Sequence, residues 1–193
     1  MKQILFFFIL LLISSQLPGQ DFKVSESERL FLLNFLEASE QDLLSVIDPL
    51  TEEQWTYTPD GIAWSPAQCM SHILQAERGL FMNIQKLLNA PSNFKKDLSP
   101  RDAWLIGKIA DRGVKVKTPL PEQPEIMTKE EALHTFKNSR KAIRKFLENE
   151  KLPLRGHIGK SPYGPADSYQ LFLVIAAHSL RHKAQIDETL AEL

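Results

Sequence analysis

Apolar and polar positions follow the 3.6-residue period of amphipathic helices in four long stretches, each opened by its own start signal. The first begins at Ser25, with Glu28 three residues on in a capping-box arrangement. It carries a stripe of Leu30, Leu33, Leu36, Leu43 and Ile47, and Pro49 helps to stop it. The second opens in WSPAQC, where Ser65 suits the N-cap, Pro66 the first helical position and Gln68 the capping box. Trp64 is placed to staple onto Cys69, and the stripe runs through Ile73, Ala76, Leu80, Ile84 and Leu87 before Pro91 breaks it. Thr128 with Glu131 opens a third helix through Leu133, Phe136, Ile143 and Leu147, fading before Pro153. The fourth follows Gly164 and Pro165, takes Asp167 or Ser168 as its cap, and runs close to Leu193.

Between the second and third helices, Ser99-Pro100 starts a short helical stretch around Trp104 to Ile109, and the proline-rich TPLPEQP that follows reads as extended. A connection of this length allows a crossover along the molecule instead of a tight hairpin. No internal repeat is present, and no alternating pattern is long enough to support a sheet. The expected fold is all-α, a four-helix bundle with a long crossover between helices two and three.

The first twenty residues differ in kind. MKQILFFFILLLISSQLPGQ has one lysine, an apolar run from Ile4 to Ile13, then Ser, Pro and Gly. The run is too short to span a bilayer but suits the h-region of a secretory signal. Residues 1–20 therefore read as a signal peptide cleaved near residues 19–21, with 21–193 as one domain, exported to the periplasm or the outside and without a stable membrane span. The other reading is an uncleaved N-terminal anchor.

Charge is nearly balanced, with 23 basic against 24 acidic residues, and no basic stripe or stacking-aromatic motif is present. A nucleic-acid partner is not expected. Cys69 is the single cysteine, so the chain forms no internal disulfide, and the thiol reads as a small buried hydrophobe.

The candidate chemistry lies in LFLVIAAHSLRHKAQI. Leu171, Val174, Ile175, His178, His182, Gln185 and Thr189 step by three or four along one helical face, so the histidines stand where the pattern calls for Leu or Ile. His72 falls on an inward stripe of the second helix with Cys69, Ile73 and Ala76. Buried imidazoles need partners. A divalent transition metal satisfies an i,i+4 pair and a third histidine from a facing helix, leaving an open coordination position. Backbone carbonyls or neighbouring side chains would satisfy them as well, and spacing does not show that His72 meets the pair.

With these residues on the page, the chain resembles the DinB-like (DinB/YfiT-like) family of metal-binding four-helix proteins. The resemblance rests on W64-S-P-x-Q-x-x-x-H72 with the nearby Glu77, and on H178-x-x-R-H182-x-x-Q-I186 preceded by G159-K-S-P-Y-G-P. It implies a metal held by His72, His178 and His182. Family members include thiol-dependent transferases and isomerases that use bacillithiol or mycothiol. Those thiols are mainly cytosolic, and an exported member stands apart from them.

Four further residues are candidates around the centre. Gln68 and Gln185 are placed to accept a proton from a free ring nitrogen, although Gln68 also suits the cap. Arg181 could hold an anionic substrate or pair with Glu77 or Asp187. His157 could reach the metal or substrate, or stay a solvated loop histidine. His134 lies with Lys137, Lys141 and Lys145 on an outer face.

The expected function is an exported metal-dependent enzyme of hydrolase or thiol/group-transferase type, acting on a small molecule with zinc, nickel or iron. The alternatives are a non-catalytic metal- or small-ligand-binding bundle, and an interaction module with a vestigial site. The long apolar helices also leave room for a homodimer. Because ligation needs neutral imidazoles, ordinary histidine chemistry places the loss of metal near pH ~6.5.

Overall fold

The computed structural model of the protein describes residues 22–61, 63–114, 124–149 and 151–193. Residues 1–20, read above as a signal peptide, and all of TPLPEQP except Pro124 lie outside the described residues.

The molecule is mostly helical. Four long helices, α1 (Glu26–Ile47), α3 (Pro66–Leu88), α5 (Lys129–Leu147) and α6 (Ser168–Leu190), carry the structure. Short helices α2 (Glu52–Thr56) and α4 (Asp102–Ala110) lie in the connections, the latter extending a 3-10 turn at Ser99–Arg101. Each long helix starts on a complete capping box: Ser25 with Glu28, Ser65 with Gln68, Thr128 with Glu131, and Asp167 with Gln170. Each box satisfies two backbone N–H groups that the first turn would otherwise leave open.

Two expectations are corrected. Leu30 is 56% exposed, and the buried line of α1 is Leu32, Leu36, Leu43 and Ile47. Leu30 lies two positions from Leu32, about 200° around the helix, so it cannot share that face. The segment before α6 is also a β-hairpin, β1 (Ile158–Ser161) against β2 (Gly164–Asp167), antiparallel with Ser161 opposite Gly164. Its strands are too short, and too rich in Gly and Pro, to show alternation. Pro162-Tyr163 makes the turn, and Gly164 follows at φ +100°, a left-handed conformation that glycine adopts at little cost. At Gly159 a Cβ would sit 2.7 Å from the Leu87 side chain, so the hairpin lies directly on the end of α3.

The short α2 opens on a capping box of its own, Thr51 with Gln54. It buries Trp55, whose Nε1 donates to the Met127 carbonyl at 3.0 Å.

Helix α6 packs against α1, α3, α4 and the hairpin, and α5 packs against α1 and α3. This explains why residues 168–177 are buried on every face. Each large apolar side chain buried there contributes roughly 1.5–3 kcal/mol. The core divides into two apolar clusters. One holds Leu32, Leu36, Ile84, Ile143, Leu147 and the first half of α6; the other holds Leu43, Ile47, Met70, Ile73, Phe136 and Ile186. Between them every long helix contributes buried polar residues: Ser39 and Glu40, Glu77, Arg140, and Ser179 and His182. The site lies at this level.

Candidate metal centre

His178 and His182 sit one turn apart on α6, and the packing of α3 against α6 brings His72 opposite them. The Nε2 atoms converge: His72 lies 3.3 Å from His178, and His182 lies 3.1 Å from His178. One nitrogen from each ring falls within 4.8 Å of the others. Nitrogens held at about 2.0–2.1 Å from one ion stand about 3.3 Å apart in tetrahedral and about 2.9 Å apart in octahedral geometry, close to the two spacings about His178, so the three histidines could hold a metal ion. Trp64 walls the centre, its ring 4.9 Å from that of His72 and 6.2 Å from that of His182. His72 and His182 are buried, whereas His178 keeps a partly exposed edge.

The environment favours the neutral, ligating form. Burial pushes His72 down to about 4. Burial, with His72 and two arginines nearby, pushes His178 down to about 3. His182 is lowered well below its ordinary value by burial and by the other two imidazoles, against the pull of its hydrogen bond to Gln185. Protons therefore compete weakly for these nitrogens.

A family model for the DinB superfamily matches residues 36–186, which takes in all three histidines. The chain belongs to the DinB superfamily. A search of curated proteins found no match, and neither did a search of solved structures. The three-histidine cluster makes this a DinB protein with a site that could hold a metal ion.

The neighbours of the centre divide clearly. Gln185 Oε1 lies 2.9 Å from His182 Nδ1, an acceptor on the ring edge opposite the cluster. Gln68 instead closes the α3 cap, its Oε1 accepting from Ser65 N at 3.0 Å. Arg181 pairs with neither Glu77 nor Asp187. It reaches the other way and donates to the carbonyls of Ile109, Asp111 and Val114, tying the segment after α4 to α6. Asp187 takes Lys183 at 2.6 Å. His157 is not solvated but 5% exposed, at the start of the hairpin, and its carbonyl accepts from both the backbone and the hydroxyl of Ser168. Ser168 is ten residues before His178 along α6, about 15 Å, and His157 is not part of the cluster. His134 is exposed and bonds only to Asn138 among the described residues.

A buried ion pair under the centre was not anticipated. Arg140 is 0% exposed and donates Nε to Glu77 Oε2 at 2.8 Å. Its other nitrogens donate to the Leu36 carbonyl, Ser39 Oγ and, at 2.5 Å, the hydroxyl of Ser179, next to His178. Ser139 donates to Glu77 Oε1 at 2.7 Å. Burial pushes the Glu77 carboxyl up, against the pull of Arg140 and Ser139. Cys69, one turn from His72, is wholly buried, and burial pushes its thiol up to about 12, so it stays protonated.

Proposed function

We propose that this DinB protein is exported, and that its four long helices form a four-helix bundle in which residues 89–128 make the long crossover. In this reading His72, His178 and His182 hold a divalent transition metal and serve a hydrolase or thiol- or group-transferase reaction on a small molecule. The observation that carries it is the convergence of three imidazoles, with His178 Nε2 lying 3.3 Å from that of His72 and 3.1 Å from that of His182, on rings whose burial keeps them neutral. Support for the bundle is that α1 and α3 each lie against both α5 and α6.

An ion in this position supplies Lewis acidity toward a bound small molecule. The chain's own part is to orient three imidazoles, to wall one side with Trp64, and to leave the His178 edge reachable. No helix among the described residues is long and apolar enough to cross a membrane.

A second reading, a non-catalytic metal- or ligand-binding bundle, is favoured by one observation. Glu77, five residues after His72, is committed to Arg140 and Ser139, and no carboxylate joins the cluster among the described residues. A general acid or base is therefore not supplied from that side.

The test is elemental analysis of the purified protein beside His72→Ala and His182→Ala. The expected result is about one ion per chain, lost in both variants; equal and negligible metal in all three after loading with zinc, nickel and iron refutes the site. A screen of hydrolase and thiol-transfer substrates separates the two readings, since activity must fall when the ion is stripped. A mass of the exported protein that retains residues 1–20 refutes cleavage.

A further inference from the structure

Arg112 lies two residues beyond α4, in the segment that Arg181 ties to α6. Its guanidinium makes a two-pronged contact with Glu188, Nη2 to Oε2 at 2.7 Å and Nε to Oε1 at 3.4 Å. A third nitrogen, Nη1, points to Gln185 Oε1 at 3.3 Å. The same Gln185 atom lies 2.9 Å from His182 Nδ1.

Donor and acceptor rules fix this chain of contacts. An arginine donates through every nitrogen and accepts through none, so the Gln185 atom facing it is the oxygen. An oxygen facing His182 Nδ1 requires that Nδ1 carry the ring proton. A neutral imidazole protonated at Nδ1 has its lone pair on Nε2, the atom 3.1 Å from His178 Nε2. Turning the amide over would set its NH₂ against a guanidinium that can only donate. Without Arg112 that obstacle is gone. The turned amide could then donate to Nδ1 and favour the other tautomer, whose Nε2–H would point into the cluster.

We propose that Arg112 is a positioning residue for the three-histidine centre: anchored on Glu188, it orients the Gln185 amide and so sets the tautomer of His182. The consequence for metal rests on the ligand reading above, whereas the tautomer does not.

The test uses nitrogen-15-labelled, metal-stripped protein and long-range proton–nitrogen correlation of the imidazoles, with His182 assigned by its loss in His182→Gln. Wild type is expected to show His182 protonated at Nδ1 alone, and Arg112→Ala to show a mixture with substantial Nε2–H. Gln185→Glu has no donor end, so in the double variant Arg112→Ala/Gln185→Glu the Nδ1–H form is expected to return. Zinc affinity, measured by chelator competition, should fall about tenfold in Arg112→Ala and recover in the double variant. A purely structural strap would not be rescued in this way. The proposal is overturned if Arg112→Ala keeps the single Nδ1–H tautomer, or if its effect persists unchanged beside Gln185→Glu. If wild type binds no zinc, the ligand reading fails, while the tautomer measurement still decides the role of Arg112.

Discussion

Glu77→Gln tests whether the ion pair beneath the histidines holds the four long helices in register. The substitution keeps the side chain's shape and removes its charge, leaving the Arg140 guanidinium fully buried and without its ion-pair partner. Arginine cannot shed its proton at any working pH, so the charge has no escape. Removing one partner of a buried pair costs roughly 3–5 kcal/mol. For a chain of this size each kcal/mol lowers Tm by about 2–4 °C, so the expected loss is about 6–20 °C.

The reverse variant, Arg140→Met, behaves differently. It leaves Glu77 buried and unpaired, and a carboxyl can take up a proton. Burial already pushes that carboxyl up, and loss of Arg140 removes the largest pull downward. A folded-state value above the unfolded one gives stability that is present at low pH and lost as pH rises through the folded value. The deficit of Arg140→Met should therefore shrink between pH 8 and pH 5, while that of Glu77→Gln stays constant. Urea denaturation of both single variants and the double variant, at the two pH values, gives the coupling energy directly. A Glu77→Gln cost below about 1 kcal/mol, or single-variant costs that simply add, refutes the account.

Three further outcomes follow from burial. With His72 pushed down to about 4 and His178 to about 3, metal affinity should stay nearly flat from pH 7.5 to 5.5. Three exposed histidines of ordinary pKa would lose about a thousandfold over that range, so a drop beyond about a hundredfold in chelator competition shows that the rings are not shielded. The same lowered values make the metal-free fold lose stability as pH falls below about 6.5, because the unfolded chain takes up protons that the folded one refuses. Cys69, wholly buried with its thiol pushed up to about 12, should not react with a thiol reagent in the native protein and should react fully in urea. Rapid native labelling would place that thiol in an open environment instead.

How much of the molecule was legible follows from how local each signal is. The capping boxes at Ser25, Ser65, Thr128 and Asp167 depend on residues three apart, and tertiary packing leaves them untouched. The inward placement of His72, His178 and His182 follows from their phase in apolar stripes. Their meeting depends on how α3 packs against α6, which spacing alone does not fix. Arg112 had no local signal, since its partners Gln185 and Glu188 lie 73 and 76 residues away. The ion pair is a different case. Phe136, Arg140, Ile143 and Leu147 step by four, three and four, and Ile73, Glu77 and Ile84 hold one stripe on α3. A basic residue and an acidic residue, each standing where an apolar one is due on different helices, are as anomalous as a histidine there. Neither charge can be buried alone, so the anomaly itself demands a partner of opposite sign. The phase argument that singled out the histidines applies equally to Arg140, which was hidden only by lying in a helix already crowded with lysines and arginines.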